Sequence, residues 1–514
     1  MNTRVSLPEA LRLGHVRPVV SALCQSFQAG LTPYPDAMAA VQAAARHAIP
    51  GEAMPLCQTV LKKRPLDNRS WRLALVGRKQ MSDWAGALEA VEQCFRLGDD
   101  APELRLNQAF FLEVLDHPER ALEILERSWS AEHAFEVEAI RAKAMLRQKR
   151  FAEVIERLST LLDKANSSEN IHLAGCWKSL GQAYDQSGQF IQAFRCFQKG
   201  NEVSPGLPPG QDTMPLFLQA WRQVATADWV ASWSAVASMP ARTPVFLIGF
   251  PRSGTTLLEQ MLDAHPRVQA LEEKPAIEKT WDLWLRMAQV GPSARKGLYQ
   301  GDDLKRLVSI LAELATLTDG EPDALRNRYF EVVADYIRLE GQSVFVDKQP
   351  LNYLYIPFIL RLFPDARFIF ALRDPADCVL SGFMQHFTAN PAMIRMRTLA
   401  SGAAFYADSM NLLARYREIF DLESRLCFVR YESVLQDWQG EASRVLDFIG
   451  VGWDPAVAEY RQHAQQRGTI STPSYQAVTR PVDARAAGRW RRYEQFIGDD
   501  FKALEPFREQ WGYR

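Results

Sequence analysis

A glycine-bracketed turn joins an apolar strand pattern to a helical pattern between Val245 and Pro266. The eight residues GFPRSGTT, from Gly249 to Thr256, have the spacing of a phosphate-binding loop. In such a loop, backbone N–H groups surround phosphate oxygens and the following helix adds its positive N-terminal end. The lysine that usually follows the second glycine is replaced by Thr255, so the loop lacks the cation for a nucleotide's terminal phosphate. The loop therefore predicts a site for a shorter anionic group than a triphosphate.

The other loop residues offer hydrogen-bond donors for such a group. Ser253, Gly254, Thr255 and Thr256 supply amides and hydroxyls. Arg252 supplies a planar guanidinium suited to two contacts with one oxyanion. Taken alone, the stretch also fits a purely structural glycine-rich turn, so its function depends on residues elsewhere in the chain.

The elements that must hold this loop begin near Val245. From there, apolar runs of strand length alternate with helical patterns, which predicts a mainly parallel sheet covered on both faces. The predicted strands are Val245–Gly249, Ser343–Val346, Arg367–Leu372 and Leu426–Val429. Ligands of such sheets bind at the carboxyl ends of the strands. Gly249, Asp347 and Arg373 each follow a strand end, so we expect three segments to converge on one crevice.

The chain up to about Pro205 has a helical pattern that repeats. Small residues recur at spacings of 34, 34, 33 and 39, close to the 34-residue period of tetratricopeptide repeats. These residues are Ala53, Ala87, Ala121, Val154 and Ala193. The last unit, from Trp177 to Pro205, matches the repeat pattern W-x2-L-G-x2-Y…A-x3-F…P, with Gly200 where alanine is usual. We predict an α-solenoid of tetratricopeptide-like repeats, with a plain helical bundle as the alternative.

The composition and the net charge argue against several classes of binding partner and several kinds of site. The 514 residues carry a net charge of −1, which gives no overall basic field to attract nucleic acid or an anionic membrane. The seven cysteines are scattered singly, which argues against a disulfide framework or a zinc site and favours a reducing compartment. No stretch approaches the roughly 20 apolar residues of a membrane span, and no signal-peptide core is present at the start. We expect a cytoplasmic protein with no nucleic-acid partner and no membrane span.

Two stretches resemble a known family. PRSGTTLLEQMLDAHPRVQALEE resembles the 5′-phosphosulfate-binding region of sulfotransferases, most closely the tyrosylprotein sulfotransferases. FIFALRDPADCVLSGFMQHF is similar to the family's motif for a ribose 3′-phosphate, with Arg373 and Ser381 as its arginine and serine. The resemblance implies 3′-phosphoadenosine 5′-phosphosulfate (PAPS) as donor. We expect no metal ion, because the transferred group carries less charge than a phosphoryl group and the clustered cations can serve. The coupling to repeats resembles bacterial repeat-plus-sulfotransferase proteins.

The resemblance also implies roles for single residues. Glu273 stands at the position of the family's catalytic base, and Lys348 in VDKQPLNY stands near the transferred sulfuryl group. Tyr431 in FVRYESVL corresponds to a tyrosine that lines the nucleotide pocket, and Ser474 and Arg489 correspond to contacts of a segment that closes over the donor. Arg252 of the loop would share the sulfuryl and phosphate oxygens, so the predicted catalytic residues are Glu273, Lys348 and Arg252.

Some points stay open. Glu272 is the base if the match is shifted by one residue. Gln385 stands where the animal tyrosylprotein enzymes have a basic residue, and Lys274 and Pro275 replace their threonine and arginine. The acceptor is therefore left open among a protein tyrosine, a glycan or lipid hydroxyl, and a small molecule.

The predicted fold class is α plus α/β. It places tetratricopeptide-like repeats at 1–215, a linker at 216–242, and a P-loop-like sulfotransferase domain with a mainly parallel sheet at 243–514. All donor motifs follow Val245, so we expect a complete donor pocket there and expect the repeats to recruit the acceptor or to mediate assembly, for example as a homodimer. The alternatives are a nucleotide-dependent P-loop phosphotransferase and a repeat scaffold whose sulfotransferase domain is inactive.

Overall fold

The computed structural model describes residues 16–46, 50–165, 169–234, 240–288, 303–317, 320–341, 343–467 and 486–513. The chain forms two compact units, Met1–Asn166 and Ser167–Arg514. The predicted domain boundaries at 215 and 243 stay predictions. The compact units divide earlier in the chain, because the helices between 171 and 202 group with the second unit.

The first unit is helical throughout its described part. Its helices are Val16–Gln28, Tyr34–Arg46, Pro50–Lys63, Asn68–Gln80, Trp84–Arg96, Pro102–Val114, Pro118–Leu125, the 3₁₀ turn Ala131–His133, Ala134–Arg147 and Phe151–Leu162. Ala87, Ala121 and Val154 lie in the second helix of successive pairs and are at most 1% exposed. A small buried residue lets two helices approach closely.

The backbone repeats with the same period. Ser82, Asp116 and Lys149 have φ values of 58°, 64° and 59°, and each precedes the small residue of its repeat by five positions. Gly188, at φ 75°, has the same relation to Ala193. A residue in the left-handed region ends a helix and turns the chain back. The turn between paired helices therefore recurs in the structure as well as in the sequence.

The second unit surrounds a five-stranded sheet. Its strands are β1 (Val245–Gly249), β2 (Val268–Glu272), β3 (Val344–Lys348), β4 (Arg367–Leu372) and β5 (Leu426–Arg430). Its α-helices are Ile171–Gln186, Phe190–Glu202, Met214–Val224, Ala227–Ala231, Thr255–Asp263, Ala276–Met287, Asp303–Ala312, Glu321–Ala334, Ile356–Leu362, Pro375–Met384, Leu399–Ile419, Tyr431–Gln436, Trp438–Ile449, Tyr460–Arg467, Glu494–Ile497 and Glu505–Gln510. Its 3₁₀ turns are Glu313–Thr316, Pro350–Tyr355, Met393–Arg397, Pro455–Glu459, Arg489–Tyr493 and Gly498–Leu504. None of the helices described in either unit combines the length and the hydropathy needed to cross a membrane.

The sheet is entirely parallel, with strand order β2-β3-β1-β4-β5. The predicted bounds of β1 and β4 are confirmed. Strand β3 runs to Lys348 rather than ending at Val346, because Asp347 and Lys348 are buried and paired in the fold. Strand β2, with the sequence VQALE, was not predicted, because Gln269 interrupts its apolar residues and Glu272 ends it.

Both faces of the sheet are covered. Phe246 and Ile248 of β1 belong to one hydrophobic cluster, whereas Val245 and Leu247 belong to another. Successive side chains of a strand point to opposite faces, so these clusters are the two layers that enclose the sheet. With β1 in the middle, its carboxyl end opens between β3 and β4.

We call Ile171–Gln186 and Phe190–Glu202 the last helix pair. Its Ala193 and Phe197 share a hydrophobic cluster with side chains of β1 and β4. Gly181 lies against Phe197, and a Cβ on this glycine would stand 2.8 Å from the ring. The last helix pair therefore packs into the core of the sheet-containing unit.

Candidate functional site

The glycine-bracketed loop follows β1, and its two glycines leave room for neighbouring groups. A Cβ on Gly249 would lie 2.6 Å from the carbonyl oxygen of Ala371 on β4. Gly254 has φ 101°, and a Cβ there would lie 2.8 Å from the ring of Tyr431. The helix Thr255–Asp263 starts directly after it. Close packing on both sides explains why glycine occupies both ends of the turn.

Two of the predicted catalytic residues have strained backbones. Arg252 has φ 73° and Glu273 has φ 42°, both in the left-handed region that side-chain-bearing residues rarely adopt. The amide of Glu273 donates to the carbonyl oxygen of Lys348 at 2.8 Å, which holds this conformation against β3. Such strain persists only where the surrounding fold enforces it, and it concentrates at functional sites.

A cavity of about 550 Å³ lies at the carboxyl ends of the strands. It brings together side chains from the loop, from the segments after β2, β3, β4 and β5, and from the C-terminal segment. The residues that line it are Pro251, Arg252, Gly254, Thr255, Thr256, Leu257, Glu273, Gln349, Pro350, Leu351, Arg373, Ser381, Phe387, Thr388, Asn390, Met393, Tyr431, Ala486 and Arg489. The segments after β1, β3 and β4 all contribute to this lining; of the three residues expected there, Arg373 lines the cavity, whereas Gly249 and Asp347 do not.

Arginines surround one side of this cavity. Arg252 Nε donates to Ser381 Oγ at 3.2 Å, and Arg373 Nη1 donates to the carbonyl oxygen of Arg252 at 3.2 Å. The Arg373 guanidinium also lies 4.8 Å from the centre of the Tyr431 ring. Burial, followed by repulsion from Arg373, lowers the pKa of Arg252 to about 10. Buried cations this close together are stabilised by an anion between them.

Carboxylates lie behind the arginine cluster. Asp377 Oδ2 lies 3.7 Å from Arg373 Nη2. Burial lowers the pKa of Arg373, but the surrounding groups, Asp377 first and then Cys378, Tyr431 and Glu432, together outweigh it and raise that pKa. Asp377 also accepts hydrogen bonds from the amides of Gly488, at 2.6 Å, and Trp490, at 2.9 Å. The same carboxylate therefore orients Arg373 and fixes the segment that carries Arg489.

Lys348 lies at the centre of a carboxylate cluster. Its Nζ is 2.9 Å from Glu273, 3.3 Å from Glu259 and 3.8 Å from Glu272. Lys348 and Glu259 are fully buried, whereas the Glu273 side chain is 34% exposed. Burial lowers the pKa of Lys348, but the charges of Glu273, Glu259 and Glu272 outweigh it and raise that pKa overall. Lys348 is therefore a permanent cation that reaches the cavity through Glu273.

The structure brings most of the predicted residues to one place. The following line the cavity: Arg252, Gly254, Thr255, Thr256, Glu273, Arg373, Ser381, Tyr431 and Arg489. Ser253 and Lys348 lie buried behind the lining, at 2% and 0% exposure. Ser474 lies outside the described residues.

Other residues of the site were not predicted. Glu259, on the helix after the loop, ion-pairs with Lys348, and its one signal was a carboxylate within an otherwise apolar helix face. Phe387, Asn390 and Met393 line the cavity from the segment after helix Pro375–Met384. Asn390 Oδ1 accepts the amides of Ala392 and Met393, which fixes this segment. Sequence spacing carries no sign of these contacts.

Some hydrogen-bond donors in the cavity lining, or directly behind it, have no acceptor among the described residues. Within the described residues, Ser253 Oγ and Arg373 Nε are buried without a hydrogen-bond partner. Buried polar atoms of this kind signal a missing ligand group or water. Of the described lining residues, Glu273 alone carries a carboxylate. The arrangement suits a ligand with several anionic oxygens, beside one group able to accept a proton.

Comparisons with known proteins found a matching family model and several relatives. Residues 244–455 match the model of the sulfotransferase family. An uncharacterized protein of Aquifex aeolicus is 23% identical over 379 residues, covering 72% of this chain and 47% of that protein. Protein-tyrosine sulfotransferase 2 of Gallus gallus is 25% identical over 259 residues, covering 48% of this chain and 62% of its own length. The matches thus span about half to three fifths of these relatives.

Solved structures that match include the sulfotransferase domain from the curacin biosynthetic pathway. It is 18% identical, with a TM-score of 0.37, and the match covers 54% of this chain and 99% of that domain. The sulfotransferase domain from the Synechococcus PCC 7002 olefin synthase is 20% identical, with a TM-score of 0.34, covering 54% of this chain and 98% of that domain.

Proposed function

We propose that the protein transfers a sulfuryl group from PAPS to an acceptor hydroxyl. The premise is that the C-terminal half of this chain contains a sulfotransferase-family domain. The observation that carries the proposal is the cavity at the carboxyl end of β1. It combines three arginines with Glu273, the carboxylate of its described lining. The arginines suit an anionic donor, and the carboxylate suits a hydroxyl acceptor.

The donor fits the residues that are present. The loop from Arg252 to Thr256 would hold the 5′-phosphosulfate, with Ser253 Oγ as a donor that lacks a partner in the described structure. Arg373 and Ser381 would hold the ribose 3′-phosphate. Arg252 links the two subsites, because its Nε contacts Ser381 and its carbonyl oxygen accepts from Arg373. Tyr431 and Arg489 would complete the pocket, as would Ser474 from the segment outside the described residues.

When bound, PAPS supplies the sulfuryl group and leaves as 3′,5′-bisphosphoadenosine. This chain's residues then have two tasks at the reacting atoms. Glu273 accepts the proton of the acceptor hydroxyl as its oxygen bonds to sulfur. Arg252 neutralises the anionic oxygens of the sulfuryl and phosphate groups, which is the main form of catalysis expected for such a displacement. A positioned base contributes about 10²- to 10⁴-fold to the rate.

For Lys348 the geometry supports a role through Glu273. The ammonium is buried and 2.9 Å from the carboxylate oxygen of Glu273. An ion pair at this distance fixes the orientation of the Glu273 carboxylate, which a general base requires. Direct contact of Lys348 with the transferred sulfuryl group, near which the family resemblance places it, needs the ammonium to become exposed.

The helices before the sheet form tetratricopeptide-like repeats in this proposal. Support comes from the buried small residues Ala87, Ala121 and Val154, and from the left-handed turns that precede them by five positions. Such arrays bind partners along a concave surface. We infer that they recruit the acceptor, with a protein tyrosine as the first candidate because several matched relatives carry that name. All seven cysteines are free thiols, which suits the cytoplasm.

The test is ligand-dependent thermal stability of the full chain. 3′,5′-Bisphosphoadenosine at 100 times its Kd should stabilise the fold by about 2.7 kcal/mol, giving a clear rise in Tm. ATP with magnesium should act weakly, since Thr255 replaces the lysine of nucleotide-binding loops. A larger rise with ATP would favour the phosphotransferase alternative and contradict the proposal. Binding without transfer of labelled sulfate to any component of cell extract would favour an inactive scaffold.

A further inference from the structure

One repeat position carries inter-repeat contacts. It lies eight residues before the small residue of each repeat, and its occupants are Lys79, Glu113, Leu146 and Asp185. Lys79 Nζ donates to Asn107 Oδ1 at 2.7 Å, and Arg147 Nε donates to Glu113 Oε1 at 2.5 Å. In both cases the partner belongs to the next helix pair along the chain.

Asp185 occupies this position in the last helix pair. Its partners are in the C-terminal segment, because Arg489 Nη2 donates to Oδ2 at 2.7 Å and Tyr493 OH donates to Oδ1 at 2.6 Å. Asp185 is 5% exposed and Tyr493 is fully buried. The ring of Phe190 lies edge-on to Tyr493 at 5.5 Å. The 3₁₀ turn Arg489–Tyr493 thus stands where a further repeat would make its contact.

Arg489 also lines the cavity. A guanidinium with a buried carboxylate at 2.7 Å has its direction fixed, as the partners of metal ligands fix those ligands. The other side of the segment is held by Asp377, through the amides of Gly488 and Trp490. The Arg489 side chain is therefore oriented from the last helix pair, while its backbone is held from the helix that carries Ser381.

A second contact links the same two regions. Lys178 Nζ and Asn201 Nδ2, both buried, donate to the carbonyl oxygen of Phe383. Phe383 lies two residues after Ser381 on helix Pro375–Met384. Phe194 stacks on Phe383 with ring centres 5.4 Å apart. The last helix pair thus supports two elements of the cavity.

We propose that Asp185 is a positioning residue of the donor site, which holds the Arg489 guanidinium toward the bound anion. This inference rests on the proposed function. It makes the last helix pair a part of the catalytic unit. On this inference, the donor pocket that the sequence predicts after Val245 also depends on a residue that precedes it. The described lining follows Val245, but a carboxylate that orients it comes from residue 185.

The test is a double-mutant cycle on the full chain, with titration calorimetry of 3′,5′-bisphosphoadenosine as readout. Asp185→Asn should raise the Kd about tenfold, which is about 1.4 kcal/mol. Arg489→Met should raise it by at least as much. The double variant should bind no more weakly than Arg489→Met alone, because Asp185 acts through Arg489. A merely structural role for Asp185 would instead give multiplying losses.

Glu113→Gln is the matched control, because Glu113 has the same repeat position and burial but pairs with Arg147. It should lower Tm and leave the Kd unchanged. If Asp185→Asn does not fold, Asp185→Glu, which displaces the charge by one methylene, should show the same dependence on Arg489. Wild-type affinity in the Asp185 variant, or multiplying losses, would overturn this inference alone. Absence of bisphosphoadenosine binding by the wild type would overturn the proposed function as well.

Discussion

The first compact unit and the cavity of the second use charged side chains differently. In Met1–Asn166, arginines lie beside carboxylates from other segments of the same unit. Arg72, for example, makes two contacts with Asp99, at 2.6 and 2.8 Å. The hydrogen bonds from Arg72 lower the pKa of Asp99 to about 2. In Ser167–Arg514, Arg252 and Arg373 instead converge on a cavity, and the pKa of Arg252 is lowered by burial and by its cationic neighbour.

The difference separates charges that stabilise the fold from charges that face a cavity. Paired surface charges contribute modestly to folding. Buried cations that lie close together repel one another, so their retention beside a cavity points to function. Glu273, Asp347 and Arg373 belong to the cavity and its surroundings, whereas Arg72 belongs to the paired surface charges.

The largest effect is expected at Glu273. Glu273→Gln keeps the shape of the side chain but removes the proton acceptor, so turnover should fall by about 10²- to 10⁴-fold. Affinity for 3′,5′-bisphosphoadenosine should stay within about threefold of wild type, since the arginines are untouched. Transfer of labelled sulfate to cell extract, together with calorimetric titration, checks both halves. Normal turnover would remove Glu273 as the base and direct attention to Glu272.

The next largest effect is expected at Asp347, a buried carboxyl next to Lys348 in the sequence. Burial raises its pKa to about 7, while the hydrogen bond from Tyr329 OH, at 2.7 Å, opposes the rise. The unfolded chain releases this proton near pH 4. The contribution of Asp347 to the free energy of unfolding of the wild type should therefore fall as pH rises from about 4 to 7 and then level off.

Asp347→Asn does not titrate, so it should lose that part of the pH dependence. At about 1.4 kcal/mol per pKa unit, the stability of the variant relative to wild type should improve by about 2–4 kcal/mol between pH 4 and pH 8. Denaturant unfolding at both pH values measures this difference. Parallel pH profiles for the two proteins would show that Asp347 is ionised in the fold.

A smaller effect is expected at Arg373. Arg373→Ala removes charge-assisted hydrogen bonds to the donor, each worth about 1.5–3 kcal/mol. The Kd of 3′,5′-bisphosphoadenosine should therefore rise about 10- to 100-fold. Calorimetric titration of the purified variant gives the number. An unchanged Kd would mean that the arginine cluster does not hold the ribose phosphate.

The smallest effect is expected for the paired arginine of the helical unit. Arg72→Gln should cost at most about 1 kcal/mol of stability, because the Arg72 side chain is 39% exposed and water screens its pair with Asp99. Donor affinity should be the same as in wild type. The same titration measures the Kd of 3′,5′-bisphosphoadenosine. A changed Kd would show that the pair of Arg72 and Asp99 also affects donor binding.

Local patterns in the sequence were sufficient for much of the site. The bounds of β1 and β4 follow from uninterrupted apolar runs, and the loop follows from two glycines at a set spacing. Arg373 follows directly after a strand, so its place at the carboxyl edge was predictable from the parallel sheet. The same reasoning failed for β2, whose five residues end in Glu272 and carry little apolar signal.

By itself, the sequence determined strands β1 and β4, the loop after β1 and the place of Arg373 at a strand end, because these depend on neighbours a few positions away. Only the tertiary structure decided which buried charges face each other. Glu259, on the helix after the loop, meets Lys348 on β3, and Asp185 meets Arg489 across 304 positions of the chain. Such pairs are chosen by packing, since a buried charge must find whatever partner the core brings within about 3 Å. Spacing along the chain cannot encode that partner.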